Sequence, residues 1–569
     1  MTPKIILQDK SSSDLLQTID PKGIADESMR RTVEILLNLV EQLQLKVKDL
    51  ESENQRLKDE NNRLKGEQGK PDIKAKSKGF SSQHSSEKER KTPKKHSKGS
   101  KNATIKIDRE EILEYPKDQL PADAEFKGYE QVIIQDISLA TDNILFRKQK
   151  YYSPSVGKTY VAELPLGYEG EFGPGIKALI ISLYYGGNMT QGKLLDFLAD
   201  LGISISAGYL SNLLIKNHSG FETEKQEVYD SGLASSPWQH FDQTGARVGG
   251  VNYTTNVICN PLYTVYFTTA NKDRLTVLKG LQPGRELEFI LNPLTFSLIE
   301  DFKIPTKWQN ALKLLPQETV LSESQFNHLL NNYLPKLGSQ QVTRIREAAA
   351  IAFYHQQTDC PVVQTLCCDD APQFKLITAD RALCWVHEGR HYKKLSPVFP
   401  CHQVILGKFI EDFWDYYREL LAYKKAPSPE AVQPLKAKFR LLFETPSGYE
   451  LLDERKLLTA TKASELLRVL EHPELPLHNN PAELAARTMV QRRNISYATQ
   501  TIEGTQAWDT FMSLVATTRQ LGVSFFDYVR DRISQLGIIP SLSTIIREKS
   551  SLHPLGKSVA TRITATPTY

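Results

Sequence analysis

The chain has 569 residues, 71 Lys+Arg against 67 Asp+Glu for a net charge of +4, and six cysteines. At roughly 150 residues per domain this is room for about three or four domains with sizeable cores. All six cysteines lie between Cys259 and Cys401, which excludes a disulfide scaffold and fits a reducing cytoplasm. The start, Met1 to Lys10, has no long apolar run, and the longest later one, Ala178 to Tyr185, is too short to span a bilayer. A soluble cytoplasmic protein is the expectation.

Residues 1–28 are polar and read as a disordered N-terminus. Over residues 29–66, Leu36, Leu43, Leu50, Leu57 and Leu64 recur every seventh residue, with Val33, Val40, Val47, Asn54 and Asn61 three places before each. Leu at d with β-branched Val at a favours a parallel two-stranded coiled coil, and the Asn pair would fix its register and dimer state. Composition then shifts to Lys, Ser, Gly and Pro over residues 67–101. Between Lys70 and Lys101 there are eleven Lys/Arg against three acids, too little apolar surface to fold, so this stretch reads as a basic disordered linker. Its charge suits salt-sensitive contact with nucleic acid or a plain solvated spacer. Residues 102–170 hold β-rich runs, Gln131 to Ile137, Asn143 to Tyr152 and Lys158 to Leu164, and predict a small β-rich module that is zinc-free, with neither Cys nor ligand spacing.

Residues 171–220 show helical patterns broken at Gly186-Gly187 and Gly202, with helices expected over Pro174 to Tyr185, from after Asn188 to Leu201, and over about Ser206 to Lys216. A helix-turn-helix of this shape would leave Ala207, Tyr209, Ser211, Asn212 and Lys216 to face a DNA groove or its phosphates. Trp238 to Phe267 reads as a three-strand meander with Asp242 at a strand end, where an Asp also serves as an ordinary turn former. Mostly helical stretches follow at about 274–357 and 403–471. Between them, Pro361 to Cys368 reads as a buried strand ending in Asp369-Asp370. Cys384 and His387, with Cys401-His402, have a spacing that zinc can use, yet no paired C-x-x-C exists and core thiols are the better reading. In His478-Asn479-Asn480-Pro481-Ala482-Glu483, Asn480 reads as a helix cap, Pro481 as the first helical residue and Glu483 as half of a capping box. Residues 501–547 read as a C-terminal helical pair and 548–569 as a disordered tail.

Asp242, Asp369 and Glu483 are three acids on two strand ends and a helix start, a set that can hold two divalent ions for phosphodiester chemistry. All-oxygen ligands suit Mg²⁺ or Mn²⁺. The stretches Phe241-Asp242-Gln243-Thr244-Gly245, Cys368-Asp369-Asp370-Ala371-Pro372-Gln373-Phe374, Cys384-Trp385-Val386-His387, Asn479-Asn480-Pro481-Ala482-Glu483 with Arg492-Arg493-Asn494, and the tail Phe511 to Arg530 resemble a transposase of the insertion sequence 66 family.

The resemblance implies an α/β catalytic core of RNase H-like type over residues 235–500, a mixed sheet flanked by helices and carrying large helical insertions. Asp242, Asp369 and Glu483 would be its catalytic, metal-binding DDE triad, with Asp370 the rival for the second place. Arg487, Arg492 and Arg493 would face DNA phosphates; Arg487 can also simply pair with Glu483 one turn before it. The implied function is a DNA transposase that binds terminal inverted repeats and carries out two-ion, Mg²⁺- or Mn²⁺-dependent cleavage and strand transfer. Its partners would be double-stranded DNA at the element ends and target, further copies of itself through the coiled coil, and accessory proteins of the same element, with the nucleoid as its location when bound to DNA. A non-catalytic dimeric regulator and an RNase H-like nuclease without strand transfer are the alternatives. The sequence departs from the family's pattern at Gln243, Leu484 and His478, at the long stretch Lys279 to Gln340, and in the missing Cys pairs of residues 102–170.

Overall fold

In a computed structural model of the protein, residues 19–64, 105–121, 124–137, 139–168 and 170–555 are described. The basic linker expected over 67–101 lies outside the described residues. The chain divides into a main unit, Met1–Pro71, Lys148–Leu195 and Ile205–Tyr569, and a smaller one, Asp72–Arg147 with Asp196–Ser204.

Helix α1 (Glu27–Leu64) spans the seven-residue repeat, and a one-turn 3₁₀ helix, Pro21–Gly23, precedes it where a disordered start was expected. Leu36, Leu43, Val47, Leu50 and Leu57 are exposed along the heptad seam, whereas Leu37, Asn38 and Glu41 are buried. Asn38 donates to the Gly448 carbonyl at 3.1 Å and accepts from the Glu450 N–H at 3.0 Å. Glu41 accepts from His402 Nδ1 at 2.6 Å, the Val398 N–H at 3.0 Å and the Tyr449 hydroxyl at 3.1 Å. One stripe of α1 is thus tied down by satisfied polar groups, and Leu36, Leu43, Leu50 and Leu57 stay in solvent.

The β-rich module expected over 102–170 is not formed among the described residues. What exists is one hairpin in the main unit, β1 (Lys150–Ser153) paired with β2 (Lys158–Val161). Gln131 to Ile137 is not a strand. The physical reason is a missing second layer: Val132, Ile134, Ile137, Tyr151 and Tyr160 are exposed, and strand propensity without apolar burial does not offset the entropy of ordering.

Helix α2 (Pro174–Ile181) runs into a π turn at Ser182–Gly186, followed by α3 (Gln191–Asp200) and α4 (Ala207–Ile215). These lie where three helices were expected. Helix α5 (Ser219–Ala234) fills an interval that the sequence pattern leaves unassigned.

The central sheet begins with the meander β3 (Trp238–Val248), β4 (Val251–Asn260) and β5 (Tyr263–Thr269). The first insertion carries α6 (Arg274–Leu281), β6 (Glu288–Phe289), α7 (Pro293–Asp301), α8 (Thr306–Leu312), β7 (Leu321–Ser322), α9 (Glu323–Tyr333) and α10 (Ser339–Gln356). Then come β8 (Thr365–Cys368) and β9 (Asp380–Leu383). The sheet order is β5-β4-β3-β8-β9, antiparallel within the meander and parallel from β3 to β9. All four residues of β8 are buried, as a central parallel strand covered on both faces requires.

Helix α11 (Trp385–Lys393) leads to the second insertion, α12 (Pro400–Lys425), α13 (Pro429–Glu444), α14 (Glu450–Ala460) and α15 (Ala463–Leu466). Trp385, Phe413, Tyr416, Phe439 and Phe443 form its aromatic core. Helix α16 (Asn480–Ser496) returns to the sheet. The expected C-terminal pair is three helices, α17 (Ile502–Leu521), α18 (Phe525–Ser534) and α19 (Leu542–Leu552), the last of which takes up residues 548–552 of the stretch read as a tail. Buried Leu542 and Ile546 anchor α19, and the Trp238 indole donates to the Leu555 carbonyl at 2.6 Å.

Helix α17 also closes the free edge of β5. The N–H groups of Thr264, Tyr266 and Thr268 donate to the side chains of Thr517 (3.2 Å), Ser513 (2.9 Å) and Asp509 (2.7 Å). Strand amides two apart thereby meet helix residues four apart, and a sheet edge that would otherwise be unpaired is satisfied.

Candidate active site

Parallel pairing of β3 with β8 sets Trp238 opposite Thr365 and His240 opposite Cys367. Carried two residues on, the same register puts Asp242 level with Asp369, which directly follows the end of β8; Asp242 itself lies within β3, which runs on to Val248 instead of ending there as expected, because its pairing with β4 continues to Val248. Glu483 comes from the first turn of α16. That turn is held by Asn479, whose Oδ1 accepts from His240 Nδ1 at 2.8 Å and whose Nδ2 donates to the Phe241 carbonyl at 2.9 Å. Its N–H also donates to Cys384 Sγ at 3.1 Å.

The capping reading of this turn needs correction. The cap position is Asn479, not Asn480, with no side-chain cap hydrogen bond. Glu483 does not fold back onto the helix start; its Oε2 accepts from Arg390 Nη2 at 2.7 Å, and its Oε1 lies 3.4 Å from His387 Nδ1. Tertiary partners outcompete the local cap.

Asp242 senses the other two acids. Burial raises the Asp242 carboxyl to about 6, and the charges of Asp369 and Glu483 add to the rise, opposed by the Gln243 N–H and by Lys272. A carboxylate crowded in this way gains most from a neighbouring cation. Burial also lowers the His387 pKa, against the raising effect of Glu483, so its ring is neutral at pH 7. His240 is pushed down to about 3 by burial and serves as a neutral strut for Asn479.

Asp370 faces a different environment from Asp369. It pairs with Lys462 at 2.8 Å, Arg381 at 3.1 Å and Lys375 at 3.3 Å. Burial opposes its charge, yet Lys462 and the other cations outweigh that and hold its carboxyl below the usual range. Asp369 has instead a single local hydrogen bond, from the Ala371 N–H at 3.1 Å.

The basic residues divide in the same manner. Arg487 is exposed and Arg493 half-buried, lining a small cavity with Arg247, Trp508 and Asp509. Arg492 is fully buried, which overturns its expected place on DNA phosphates. Its guanidinium lies 4.3 Å from the Tyr184 ring centroid, 5.1 Å from Tyr185 and 4.6 Å from Trp508, and donates to the Tyr184 carbonyl. In the helix-turn-helix stretch, Ala207, Asn212 and Lys216 are exposed and Ser211 half-buried, while Tyr209 packs on Phe172 at 4.9 Å.

Sequence reasoning missed Arg390, Lys272 and the tertiary role of Asn479. Arg390 follows His387 by three residues, so one face of α11 carries both, a spacing the Cys384-Trp385-Val386-His387 motif already suggested. Lys272 lies in a loop after β5, and no local pattern marks it. The metal-type grouping of Cys384, His387 and Glu483 was half visible as a Cys-x-x-His spacing. Cys401 and His402, the remaining members of the zinc set weighed from sequence, are engaged elsewhere, His402 on Glu41.

Fold and site together define a mixed α/β protein with large helical insertions and three acids brought together beside the inner strands β3 and β8 of its sheet. Residues 344–507 match the model of a family described as the transposase IS66 family. The chain is also 30% identical over 325 residues to the uncharacterized protein y4jO of Sinorhizobium fredii, covering 56% of this chain and 99% of that one. The protein belongs to the transposase IS66 family. Among the described residues no helix is long and apolar enough to cross a membrane.

Proposed function

We propose that the protein is a DDE-type DNA transposase that cuts at its element's ends and joins them to target DNA. The observation that carries this reading is the shared register of Asp242 and Asp369 on adjacent parallel strands, with Glu483 close enough that both raise the Asp242 pKa. A five-strand order with an antiparallel meander followed by two parallel strands supports the RNase H-like type, and family membership supports DNA as substrate.

The donor set fits divalent ions such as Mg²⁺ or Mn²⁺. Asp242, Asp369 and Glu483 offer oxygen alone, and Glu483 Oε1 is a buried atom with no hydrogen-bond partner. Bound ions would supply charge to activate the attacking oxygen and stabilise the leaving one. The chain's own residues do the rest: Asn479 fixes the start of α16, Arg390 orients Glu483, and exposed Arg487 on the same helix supplies charge for the DNA backbone. The exposed leucine seam of α1 supports a second copy of the chain as its partner, and exposed Asn212 and Lys216 on α4 support end binding.

The test is incubation of the full-length protein with labelled DNA taken from both flanks of its gene, with Mg²⁺. Cleavage that disappears in Asp242→Ala and in Glu483→Ala, followed by joined products, is expected. Binding without cleavage under Mg²⁺ or Mn²⁺ would replace the proposal with a regulator, and cleavage without joining with a nuclease.

A further inference from the structure

Cys384, at the N-cap of α11, receives the N–H of Asn479 at 3.1 Å, and backbone N–H groups of Val386 and His387 also point to its sulfur. Backbone donors converging on one sulfur stabilise a thiolate once a cation is present to oppose burial. Three residues on, His387 Nδ1 faces Glu483 Oε1 at 3.4 Å, and both atoms are buried without a hydrogen-bond partner. One donor atom from each of Cys384, His387 and Glu483 lies within 4.8 Å of the others. Bonds of about 2.0–2.3 Å in a tetrahedral site put ligand atoms roughly 3.3–3.8 Å apart, so the His387–Glu483 pair already has that separation and the sulfur needs about 1 Å of adjustment. The Cys-x-x-His spacing is one that zinc sites use.

We propose that Cys384, His387 and Glu483 form a site for a zinc-type cation, distinct in chemistry from the all-oxygen Asp242–Asp369 side of the cluster. Sulfur, imidazole and carboxylate favour Zn²⁺ or Co²⁺ over Mg²⁺. Binding converts the Cys384 thiol to a thiolate, its proton leaving to solvent as the metal–sulfur bond forms, with no redox change. The site takes Glu483 Oε1 and leaves Arg390 on Oε2. Zinc would therefore draw Glu483 out of the acid cluster and inhibit. The inhibitory consequence rests on the role proposed for Glu483; the binding does not.

Chelator-treated full-length protein titrated with Co²⁺ tests this. One equivalent is expected to give an intense thiolate-to-cobalt charge-transfer band together with tetrahedral visible bands. Cys384→Ser should abolish the charge-transfer band, and His387→Gln should weaken Co²⁺ binding by about tenfold or more, each protein checked for an unchanged melt. No charge-transfer band in the wild type, or the same band in a folded Cys384→Ser, would overturn the site. If Cys384→Ser does not fold, His387→Gln decides by the same titration. Zn²⁺ added to Mg²⁺-supported cleavage should inhibit the wild type at least tenfold more strongly than His387→Gln, and equal inhibition would overturn the inhibitory role. A protein that binds Co²⁺ as described but never cleaves DNA would refute the transposase reading while leaving this site standing.

Discussion

Arg492 tests whether a basic residue on α16 serves DNA or the fold. Its guanidinium is fully buried among Tyr184, Tyr185 and Trp508, donates to the Tyr184 carbonyl, and reaches Asn188 Oδ1 at 3.3 Å. It ties the π turn after α2 to α16 and α17. Arg492→Ala removes those ring contacts, leaves a cavity and strands a carbonyl, for an expected loss of about 3–5 kcal/mol. Arg492→Lys keeps the charge but not the flat stacking surface or the forked donors, and is expected to cost about 2 kcal/mol. Both should lower the melting temperature by several degrees. Arg487→Ala, on the exposed face, should leave the melt unchanged and reduce the salt dependence of DNA binding by about 0.9 in slope, one phosphate contact. The assay pairs thermal melts with DNA-binding titrations across ionic strength, at a temperature where each variant is folded. An Arg492→Ala protein with a wild-type melt and a salt slope reduced by about one would refute this reasoning and return Arg492 to the DNA.

The remaining predictions concern the acids. In chelator, Asp242 binds a proton up to about pH 6 in the folded chain, against a usual value of 3.8; between those values the folded state holds more protons than the unfolded one, so stability falls as pH rises and the full cost is present above pH 6. Asp242→Asn should accordingly stabilise the metal-free protein by up to about 3 kcal/mol at pH 8 and by little near pH 3, with melts at the two pH values as the check; a destabilised variant at pH 8 would count against it. Asp370→Asn should lower the melting temperature by loosening the Lys462–Arg381–Lys375 cluster while cleavage persists, whereas Asp369→Asn should abolish cleavage with the melt retained; the reverse pattern would exchange their roles. Glu41→Ala strands His402 Nδ1 and the Tyr449 hydroxyl in a buried site, a cost of about 2–4 kcal/mol, and should speed amide exchange at Val398 and Glu450; unchanged exchange would show that α1 is not held there.

The limits of what was legible follow from range. The seven-residue leucine spacing, the strand meander with its turn at Asn260-Pro261 and the Pro481 helix start are periodic or local signals, and a helix, three strands and a helix lie on those stretches. Local propensity failed where no second layer exists, as at Val132 and Ile134, and where a short amphipathic helix such as α19 gains its stability only by packing. The Asp369–Asp370 ambiguity was unavoidable from sequence, because two adjacent acids look alike until Lys462 and Arg381 come to one of them.

By itself, then, the sequence determined the end of β8 before Asp369, the helix start before Glu483, and the family, because each is written in a short contiguous stretch. Only the tertiary structure decided what those residues face. Arg492 and Glu483 are both polar residues of one helix, yet one is enclosed by three aromatic rings from distant segments and the other meets Arg390 and His387 across 93 and 96 positions of chain. Burial and charge act through space, and a side chain's environment is set by whatever the fold brings against it.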